Sequence, residues 1–338
     1  MNDMILVTGA TGTFGRPLVE LLTARGAKVR AVTRSAAGMR LPAGAEAVEG
    51  DPARPETLAG HLDGVTAVFL HPRAIGDGAP GLLARAAERG ARRVVALSAM
   101  NVDEPLDEQP SRFRGDRNKE AEAAAVDSGL EWTSLRAASF AGNALQAWAP
   151  QIRAGDVVRY VHAGFQEVPI DERDLVEIAA TTLLGGHAGR RLELTGPESL
   201  THAAMVAVLG EAIGRPLRFE EIPPEDAGRG LVAGGLPEPF VRALLARYAR
   251  YATRPQHPVT GDAAALLGRP PRTFADWAAA HAPAFARQDQ PGEGRSPARQ
   301  PRTTPPEAGR PAGGRGADRP TPTGPGCPGR GWTGRSAR

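Results

Sequence analysis

The sequence predicts an α/β fold, a doubly wound parallel sheet with helices on both faces. Short apolar runs alternate with helical stretches of 8–13 residues through the first 137 positions. A glycine-rich turn joins the first apolar run to the first helical stretch. Because consecutive strands separated by helices pair in parallel through right-handed crossovers, this order predicts one central sheet.

The first part of the chain contains six apolar runs that fit strands buried on both faces. These predicted strands are Met4–Thr8, Lys28–Thr33, Ala47–Glu49, Val65–Leu70, Arg93–Ser98 and Glu131–Arg136. The predicted helices between them are Gly15–Arg25, Pro55–Leu62, Gly81–Arg89 and Asp116–Ser128. Gly26, Gly90 and Gly129 follow three of these helices, and glycine is a common residue just past a helix end.

After residue 137 the alternation is less regular. Helices are predicted over Asn143–Arg153, Asp171–Leu184, Ser199–Ile213, Glu238–Tyr251, Gly261–Leu267 and Phe274–His281. Strands are predicted over Gln166–Pro169 and Arg191–Thr195. Ser199 is the expected N-cap of its helix, and Gly214 is the expected stop.

This order predicts a nucleotide-binding domain, a small second part and a tail. The nucleotide-binding domain covers residues 1–137 and is completed by about 165–195. Residues 138–164 and 196–286 form a small substrate or lid part. Residues 287–338 hold ten prolines, eleven glycines and a net charge of +6. Because such a segment buries too little apolar surface to offset its ordering entropy, we expect a disordered tail. A weaker alternative is an arginine-rich segment that touches nucleic acid.

Composition excludes several classes of protein and site. The whole chain carries +3, so residues 1–286 carry −3, and the folded part has no electrostatic footprint for nucleic acid. The single cysteine, Cys327, excludes a disulfide framework within the chain and a cysteine-built metal site, and we predict no metal. The sequence contains no run of 18 apolar residues, so it predicts no membrane span, and it shows no leader pattern. We therefore expect a cytoplasmic protein. We also expect a monomer or a homodimer.

The glycine-rich turn gives the most specific signal. It spans Thr8, Gly9, Ala10, Thr11, Gly12, Thr13, Phe14 and Gly15. Gly9 permits the tight turn, Gly12 lets a pyrophosphate approach the backbone, and Gly15 lets the helix pack closely on the sheet. The free amides and the positive dipole end of the following helix then face the phosphates. This context predicts a dinucleotide site, although the spacing is Gly-x-x-Gly-x-x-Gly.

The end of the second strand selects the nucleotide. In NAD-binding proteins an aspartate or glutamate at this position binds the ribose 2′-hydroxyl, but here the strand is followed by Arg34 and Ser35. A forked guanidinium contact from Arg34, assisted by Arg40, would hold a 2′-phosphate. We therefore expect NADP(H) in preference to NAD(H). The alternative is that Arg34 is only a solvated charge.

The chain resembles the NmrA-like, atypical branch of the short-chain dehydrogenase/reductase superfamily over about residues 3–283. The motifs that carry the resemblance are Val7–Gly15, Glu49–Asp51, Val95–Ser98, Lys119–Glu122, Ser128–Arg136, Asp171–Leu175, Leu194–Glu198 and Leu266–Phe274. The resemblance implies a Rossmann domain with a small discontinuous C-terminal part over the cofactor. It places Asp51 near the adenine, and Leu70 and His71 along the cofactor. The family includes NADPH-dependent quinone and azo-type reductases, reductases of natural-product pathways and proteins that only sense NADP redox state.

The chain lacks the tyrosine that serves as the catalytic acid in other members of the superfamily. Other members use a Tyr-x-x-x-Lys pair, in which the tyrosine hydroxyl moves the proton, and a serine. No tyrosine precedes Lys119 here, and Gly115 stands four residues before it. Lys119 lies near the position of the superfamily's lysine, but the alignment is uncertain by one residue, so Asn118 could occupy that position instead. Ser98 aligns with the superfamily's serine. Both are candidate catalytic residues.

Each catalytic candidate has a structural alternative. Lys119 is alternatively a helix lysine paired with Glu120 or Glu122. Ser98 is alternatively a serine that caps a turn at a strand end. His71 is a candidate proton donor or a loop histidine that contacts solvent or the cofactor backbone.

The substrate is predicted to be a small hydrophobic molecule. Phe140, Asn143, Trp148 and Phe165 are expected to line an apolar pocket with one polar anchor, or else to pack the two parts of the fold together. Two functions lead, and an isomerase-like or other non-redox use of the fold is a lesser third. The first is an NADPH-dependent reductase of a quinone- or carbonyl-type acceptor, which needs no dedicated tyrosine. The alternative is a non-catalytic redox sensor that binds NADP(H).

Overall fold

The computed structural model describes residues 3–252 and 258–287. The strands are β1 Met4–Val7, β2 Lys28–Thr33, β3 Ala45–Glu49, β4 Val65–Leu70, β5 Arg93–Ala99, β6 Glu131–Ala137, β7 Val157–Tyr160, β8 Gln166–Glu167, β9 Arg190–Leu194, β10 Leu200–Thr201 and β11 Arg218–Glu221. The α-helices are α1 Gly15–Ala24, α2 Ala79–Glu88, α3 Asn118–Asp127, α4 Asn143–Ala147, α5 Ala149–Ala154, α6 Glu172–Leu184, α7 His202–Ala212, α8 Pro224–Ala233, α9 Glu238–Arg250, α10 Asp262–Leu267 and α11 Phe274–His281. The 3-10 helices cover Pro55–His61, Leu106–Glu108, Pro110–Arg114 and Ala282–Phe285.

Seven strands form one parallel sheet in the order β3-β2-β1-β4-β5-β6-β9. The order reverses between β1 and β4, and ligands of such sheets bind at the carboxyl ends of the strands beside that reversal. The predicted doubly wound α/β fold is confirmed.

Each face of the sheet has its own apolar core. One core packs α1 and α6 on the sheet through side chains such as Leu18, Leu22 and Ile178, all fully buried. The other packs α2 and α3 through Leu82 and Ala121. These two layers hold the carboxyl edge of the sheet in place.

A third core lies in the C-terminal part of the fold. Its members come from α4, α5, β7, α7, α8, α9, α11, the last 3-10 helix and the loops between them. They include the fully buried Trp277 and Phe285. Two small sheets, β10 with β8 and β11 with β7, belong to this part. The fully buried Asp174 on α6 binds the side chains of Arg269 and Arg272. The segment before α11 is therefore fixed to α6.

Several predicted elements need correction. The helix predicted over residues 143–153 is two short helices separated at Trp148, just before Pro150. Ser199 is not the N-cap of α7, because Thr201 accepts the capping hydrogen bond from the Ala204 amide. The stretch from Pro55 to His61 is a 3-10 helix. The prediction also missed β7, β11 and α8, whose apolar positions are too few to show a clear period.

The proposed domain boundaries remain a prediction. The expected disordered tail lies outside the described residues from residue 288 onward. Within residues 3–252 and 258–287, no helix combines the length and the apolar character needed to cross a bilayer.

Candidate cofactor and active site

The glycine loop is held in a turn by hydrogen bonds at the end of β1. The fully buried Thr8 hydroxyl donates to the Phe69 carbonyl at 2.9 Å and accepts from the His71 amide at 2.8 Å. The Gly12 amide donates to the Gly9 carbonyl at 3.0 Å. The Phe14 ring is buried and stacks on the Phe69 ring with centroids 5.5 Å apart. Thr8 and Phe14 therefore fix the glycine loop to the end of β4.

The glycines of the loop differ in what a side chain would meet. A Cβ on Gly15 would stand 2.2 Å from the Gly9 carbonyl oxygen, and one on Gly9 would stand 2.9 Å from the His71 ring. Close packing excludes a side chain at both positions, and the positive φ of Gly9 also favours glycine there. Gly12 is exposed, and a Cβ there would meet only the Gly9 oxygen, at 3.3 Å. Its open side is where a ligand can approach the backbone.

The start of α1 fits a phosphate group. Phe14 precedes the helix and provides no side-chain cap, and no acidic residue lies in the first turn. Thr11, Gly12 and Thr13 are exposed beside it. The Arg16 amide already donates to the Gly12 carbonyl and Pro17 has no N–H, so an anion would be held by the positive dipole end of α1 and by the amides of the loop itself. These residues then fit the pyrophosphate of a dinucleotide.

Exposed arginines lie near the carboxyl ends of β1 and β2. Arg34 is exposed directly after β2, and Arg16 and Arg40 line a shallow crevice beside Ala10. Asp51 lies just after β3, where its carboxylate accepts from the Ala53 amide at 3.0 Å. Sequence reasoning missed Arg16, whose position directly after Gly15 was the available signal.

His71 and Leu70 follow the β4 edge in different ways. The Leu70 side chain is fully buried in the core, so only its backbone lies at the edge. The His71 ring packs over Gly9 and against Phe14. Burial lowers the pKa of His71, with the neighbouring Asp116 opposing that shift. The imidazole is therefore mainly neutral at neutral pH, which makes it a poor resident acid.

Ser98 belongs to a buried carboxylate network. Its hydroxyl donates to Glu122 at 3.1 Å, and the Ser134 hydroxyl donates to the same oxygen at 2.6 Å. Arg136 and Arg191 each bind the other Glu122 oxygen at 2.7 Å. Burial alone would raise the pKa of Glu122, but the hydrogen bonds from Arg136, Ser134 and Arg191 lower it to about 2. The network joins α3 to β5, β6 and β9.

Lys119 and Asn118 lie on different sides of α3. Asn118 is buried and its side-chain amide donates to Ser111 Oγ at 3.2 Å, whereas Lys119 is exposed. Glu122 forms ion pairs with Arg136 and Arg191, and Glu120 pairs with Arg112 at 2.6 Å. The expected pairing of Lys119 with either acid is therefore absent among the described residues. Its catalytic role remains a prediction.

The four predicted pocket residues do not share one environment. Asn143 is exposed at the start of α4, and Phe140 is half-buried where it bridges to Ile170. Trp148 and Phe165 are buried in the third core, where both pack against the His202 ring. Packing accounts for the burial of Trp148 and Phe165, and contact of Phe140 and Asn143 with a substrate remains a prediction.

Sequence reasoning also missed a pair in the C-terminal part of the fold. His202 Nε2 on α7 lies 3.7 Å from Glu167 Oε1 on β8. These residues are far apart in sequence, so no spacing identified them. Among the described residues, no group of three or more histidine, cysteine, aspartate or glutamate side chains could hold a metal ion.

Comparison with known proteins agrees with this geometry. Residues 9–154 match a family model described as NAD(P)H-binding. The chain is 39% identical over 288 residues to a (4-alkanoyl-5-oxo-2,5-dihydrofuran-3-yl)methyl phosphate reductase of Streptomyces griseus, an alignment covering 84% of this chain and 99% of the relative. It belongs to the NmrA-like branch of the short-chain dehydrogenase/reductase superfamily.

Two further proteins resemble this NmrA-like chain. An NAD(P)H azoreductase of Xenophilus azovorans is 32% identical, and the alignment covers 83% of this chain and 99% of the relative. The crystal structure of an NADPH-dependent quinone oxidoreductase from Escherichia coli has a TM-score of 0.69 at 23% identity, covering 82% of this chain and 99% of the other. The NmrA-like chain is thus an NAD(P)-binding protein of the oxidoreductase type with a Rossmann fold.

Proposed function

We propose that this chain is an NADPH-dependent oxidoreductase that reduces a small hydrophobic acceptor of the quinone, enone or carbonyl type. The observation that carries the proposal is the open face of Gly12 beside the uncapped start of α1. When bound there, NADPH supplies a hydride at the carboxyl edge of the sheet. The chain's own task is then to orient the acceptor and exclude water.

The missing tyrosine favours acceptors whose reduced anion is stable. An enolate or a hydroquinone anion is a weaker base than an alkoxide, so it needs no strong acid beside it. The names of two relatives point to the same class. One describes a dihydrofuran ring that bears an oxo and an alkanoyl group, and the other describes azo compounds. Both groups are electron-poor double bonds.

The proposed contacts follow the carboxyl edge. The glycine loop holds the pyrophosphate, Asp51 lies toward the adenine, and the Leu70 backbone with His71 lies along the cofactor. Phe140 and Asn143 border the acceptor. Lys119 would hold ribose hydroxyls or give a proton. Ser98 would orient an acceptor carbonyl only if its hydroxyl turned away from Glu122.

Nucleotide binding and turnover test the proposal. Calorimetry would measure the affinities for NADPH and NADP⁺, and NADPH absorbance would follow oxidation against a panel of quinones and enones. We expect micromolar binding and turnover with at least one acceptor. Unequal binding of the two redox forms with no turnover would favour a redox sensor instead. Binding weaker than millimolar for both forms would contradict both functions.

The preference for NADP(H) is a second expectation of this proposal. Arg34→Asp should lower the affinity for NADPH about 10- to 100-fold and leave that for NADH nearly unchanged, because a charge-assisted bond to a 2′-phosphate contributes roughly 1.5–3 kcal/mol. Calorimetry with both nucleotides measures the ratio. Arg85→Asp, an exposed change on α2, is the matched control. An unchanged ratio in the Arg34 variant would mean that another group, such as Arg16 or Arg40, reads the phosphate.

A further inference from the structure

The chain between β5 and α3 carries a concentration of positive charge. Residues 112–119, the basic segment, hold four basic side chains and one acid: Arg112, Arg114, Arg117, Lys119 and Asp116. The segment lies at the carboxyl edge of the sheet, because the Arg117 amide donates to the Pro72 carbonyl at 3.2 Å, just after β4. His71, the residue before Pro72, packs over Gly9. The basic segment is therefore a neighbour of the glycine loop.

Two arginines of the basic segment are not neutralised by carboxylates. Arg73 holds the two oxygens of Asp116 at 2.8 Å each, and Arg112 pairs with a glutamate of α3 at 2.6 Å. Arg114 and Arg117 are half-buried, and no carboxylate within residues 3–252 and 258–287 forms an ion pair with either of them. Because a partly desolvated guanidinium gains from an anionic partner, this charge favours an anionic ligand.

The Arg117 guanidinium is folded back on the turn that precedes it. Its Nη1 donates to the Arg112 and Asp116 carbonyls at 3.4 and 3.3 Å. The Gly115 amide donates to the same Arg112 carbonyl at 3.0 Å, so the guanidinium stays close to Gly115. In the described part of the chain both hydrogen bonds of this guanidinium use Nη1, so Nε and Nη2 keep donors for a ligand. Arg117 also directly precedes α3, whose positive dipole end adds charge of the same sign.

The Arg114 side chain reaches from the basic segment to the C-terminal part of the fold. Its Nη1 donates to Gln146 Oε1 on α4 at 2.8 Å, and its guanidinium carbon lies 5.4 Å from the centre of the Phe240 ring on α9. Asn143 stands three residues before Gln146 on α4, so the two exposed side chains share one side of that helix. Arg114 therefore brings a positive charge close to Asn143, the predicted polar anchor of the acceptor.

The basic segment is separate from the place where the cofactor's pyrophosphate would lie. The glycine loop follows β1, whereas the basic segment follows β5, and β4 lies between these two strands. Two strand spacings amount to about 10 Å. A dinucleotide whose pyrophosphate lies on the glycine loop extends along the carboxyl edge toward β5. An anion on the basic segment would then lie beside the nicotinamide half of the cofactor, where the acceptor binds.

We propose that the acceptor carries a phosphate monoester, and that Arg114 and Arg117 bind this group. The inference rests on the proposed function and names its substrate class. Two guanidinium forks can bond several oxygens of one phosphate, whereas a single fork already fills the two oxygens of a carboxylate. The charges also match, because a phosphate monoester carries about −1.5 to −2 at pH 7. The acceptor is then apolar at its reducible end and charged at the other.

The test compares three acceptors that share one ring: a hydroxyethyl naphthoquinone, its phosphate monoester and the carboxyethyl analogue. We expect the unaltered chain to show a kcat/KM at least about 30-fold higher for the ester than for the alcohol, with the carboxylate between them. Arg114→Met and Arg117→Met should each lower kcat/KM for the ester about 10- to 100-fold, mainly through KM, because each removes charge-assisted hydrogen bonds. The value for the alcohol should change less than about threefold.

Arg153→Met is the matched control. Arg153 on α5 is also half-buried, and its Nη1 donates to a backbone carbonyl, that of Ala284 in the last 3-10 helix, at 3.0 Å. The control should leave all three acceptors unchanged. Arg117→Lys keeps the charge but loses the fork, so it should restore part of the activity with the ester. Thermal unfolding of each variant separates a lost contact from misfolding.

Several outcomes would overturn the proposal. The first is an equal kcat/KM for the ester and the alcohol in the unaltered chain. The second is a loss in the two arginine variants that is the same for both acceptors, since this indicates a structural role. The third is a carboxylate that performs as well as the ester. By contrast, no NADPH oxidation with any of the three acceptors would contradict the proposed function itself.

Inorganic phosphate gives a second readout. At saturating NADPH it should compete with the ester, and Arg117→Met should weaken this inhibition about 10-fold or more. Inhibition that is relieved by NADPH rather than by the ester would place the phosphate at the cofactor site and overturn the proposal. A fall in NADPH affinity in Arg117→Met as large as the fall for the ester would do the same, because the arginine would then bind the cofactor.

Discussion

Gly12→Val is expected to lower the affinity for NADPH at least 100-fold while the chain stays folded. Gly12 does not have a positive φ, and a Cβ there would stand 3.3 Å from the Gly9 carbonyl oxygen, so the loop has to yield by only a few tenths of an ångström to accept a side chain. The valine methyl groups would instead occupy the space that a pyrophosphate needs. A 100-fold loss corresponds to about 3 kcal/mol of binding free energy. Calorimetric titration with NADPH measures it.

The matched control for this variant is Gly60→Val. Gly60 is also exposed, and nothing lies within 4 Å of the Cβ that it would carry. It precedes β4 and lies away from the carboxyl edge of the sheet. We expect nearly unchanged affinity in the control. Unchanged affinity in Gly12→Val as well would show that the pyrophosphate does not lie on this loop.

Glu122→Gln is expected to lower the free energy of unfolding by about 3 kcal/mol at pH 7, since breaking a buried ion pair typically costs this much. Glu122 is 5% exposed and holds two arginines and two serines. The variant would leave Arg136 with only Asp103 as a charged partner. Urea unfolding followed by circular dichroism measures the change.

The loss should depend on pH in one direction. The pKa of Glu122 is lower in the folded chain, about 2, than its ordinary 4.5. The stabilisation is therefore complete above about pH 5 and is lost as the pH falls from 4.5 toward 2. Glu131→Gln is the control, because that carboxylate is 54% exposed and pairs with Arg93 at the surface. A stability difference that does not change between pH 7 and pH 3 would contradict this account.

The framework of the fold could be predicted because its signals are local. The apolar runs of β1 to β6 and the glycines that follow three of the helices depend on residues close in sequence. The glycine loop was identifiable for the same reason, since Gly9, Gly12 and Gly15 act within one turn. Thr201 rather than Ser199 caps α7 because the helix starts later than the apolar pattern indicated.

The chemistry of the edge could not be predicted in the same way, because it depends on contacts between distant segments. Ser98 was recognised by its place after a strand, but its partner Glu122 comes from α3 and the arginines come from β6 and β9. Glu167 and His202 come from two separate elements, β8 and α7. Trp148 and Phe165 were expected either to line a pocket or to pack the fold together, and the sequence alone could not decide between the two.

The exposed position of Lys119 has a practical consequence for labelling. Lys28 and Lys119 are the only lysines in the chain, and arginine carries the rest of the positive charge. Lys28→Arg would leave one ε-amine, on the first turn of α3. An amine-reactive fluorophore would then attach there and, apart from the amino terminus, nowhere else. Such a dye would give an optical signal at the edge of the sheet without any engineered cysteine.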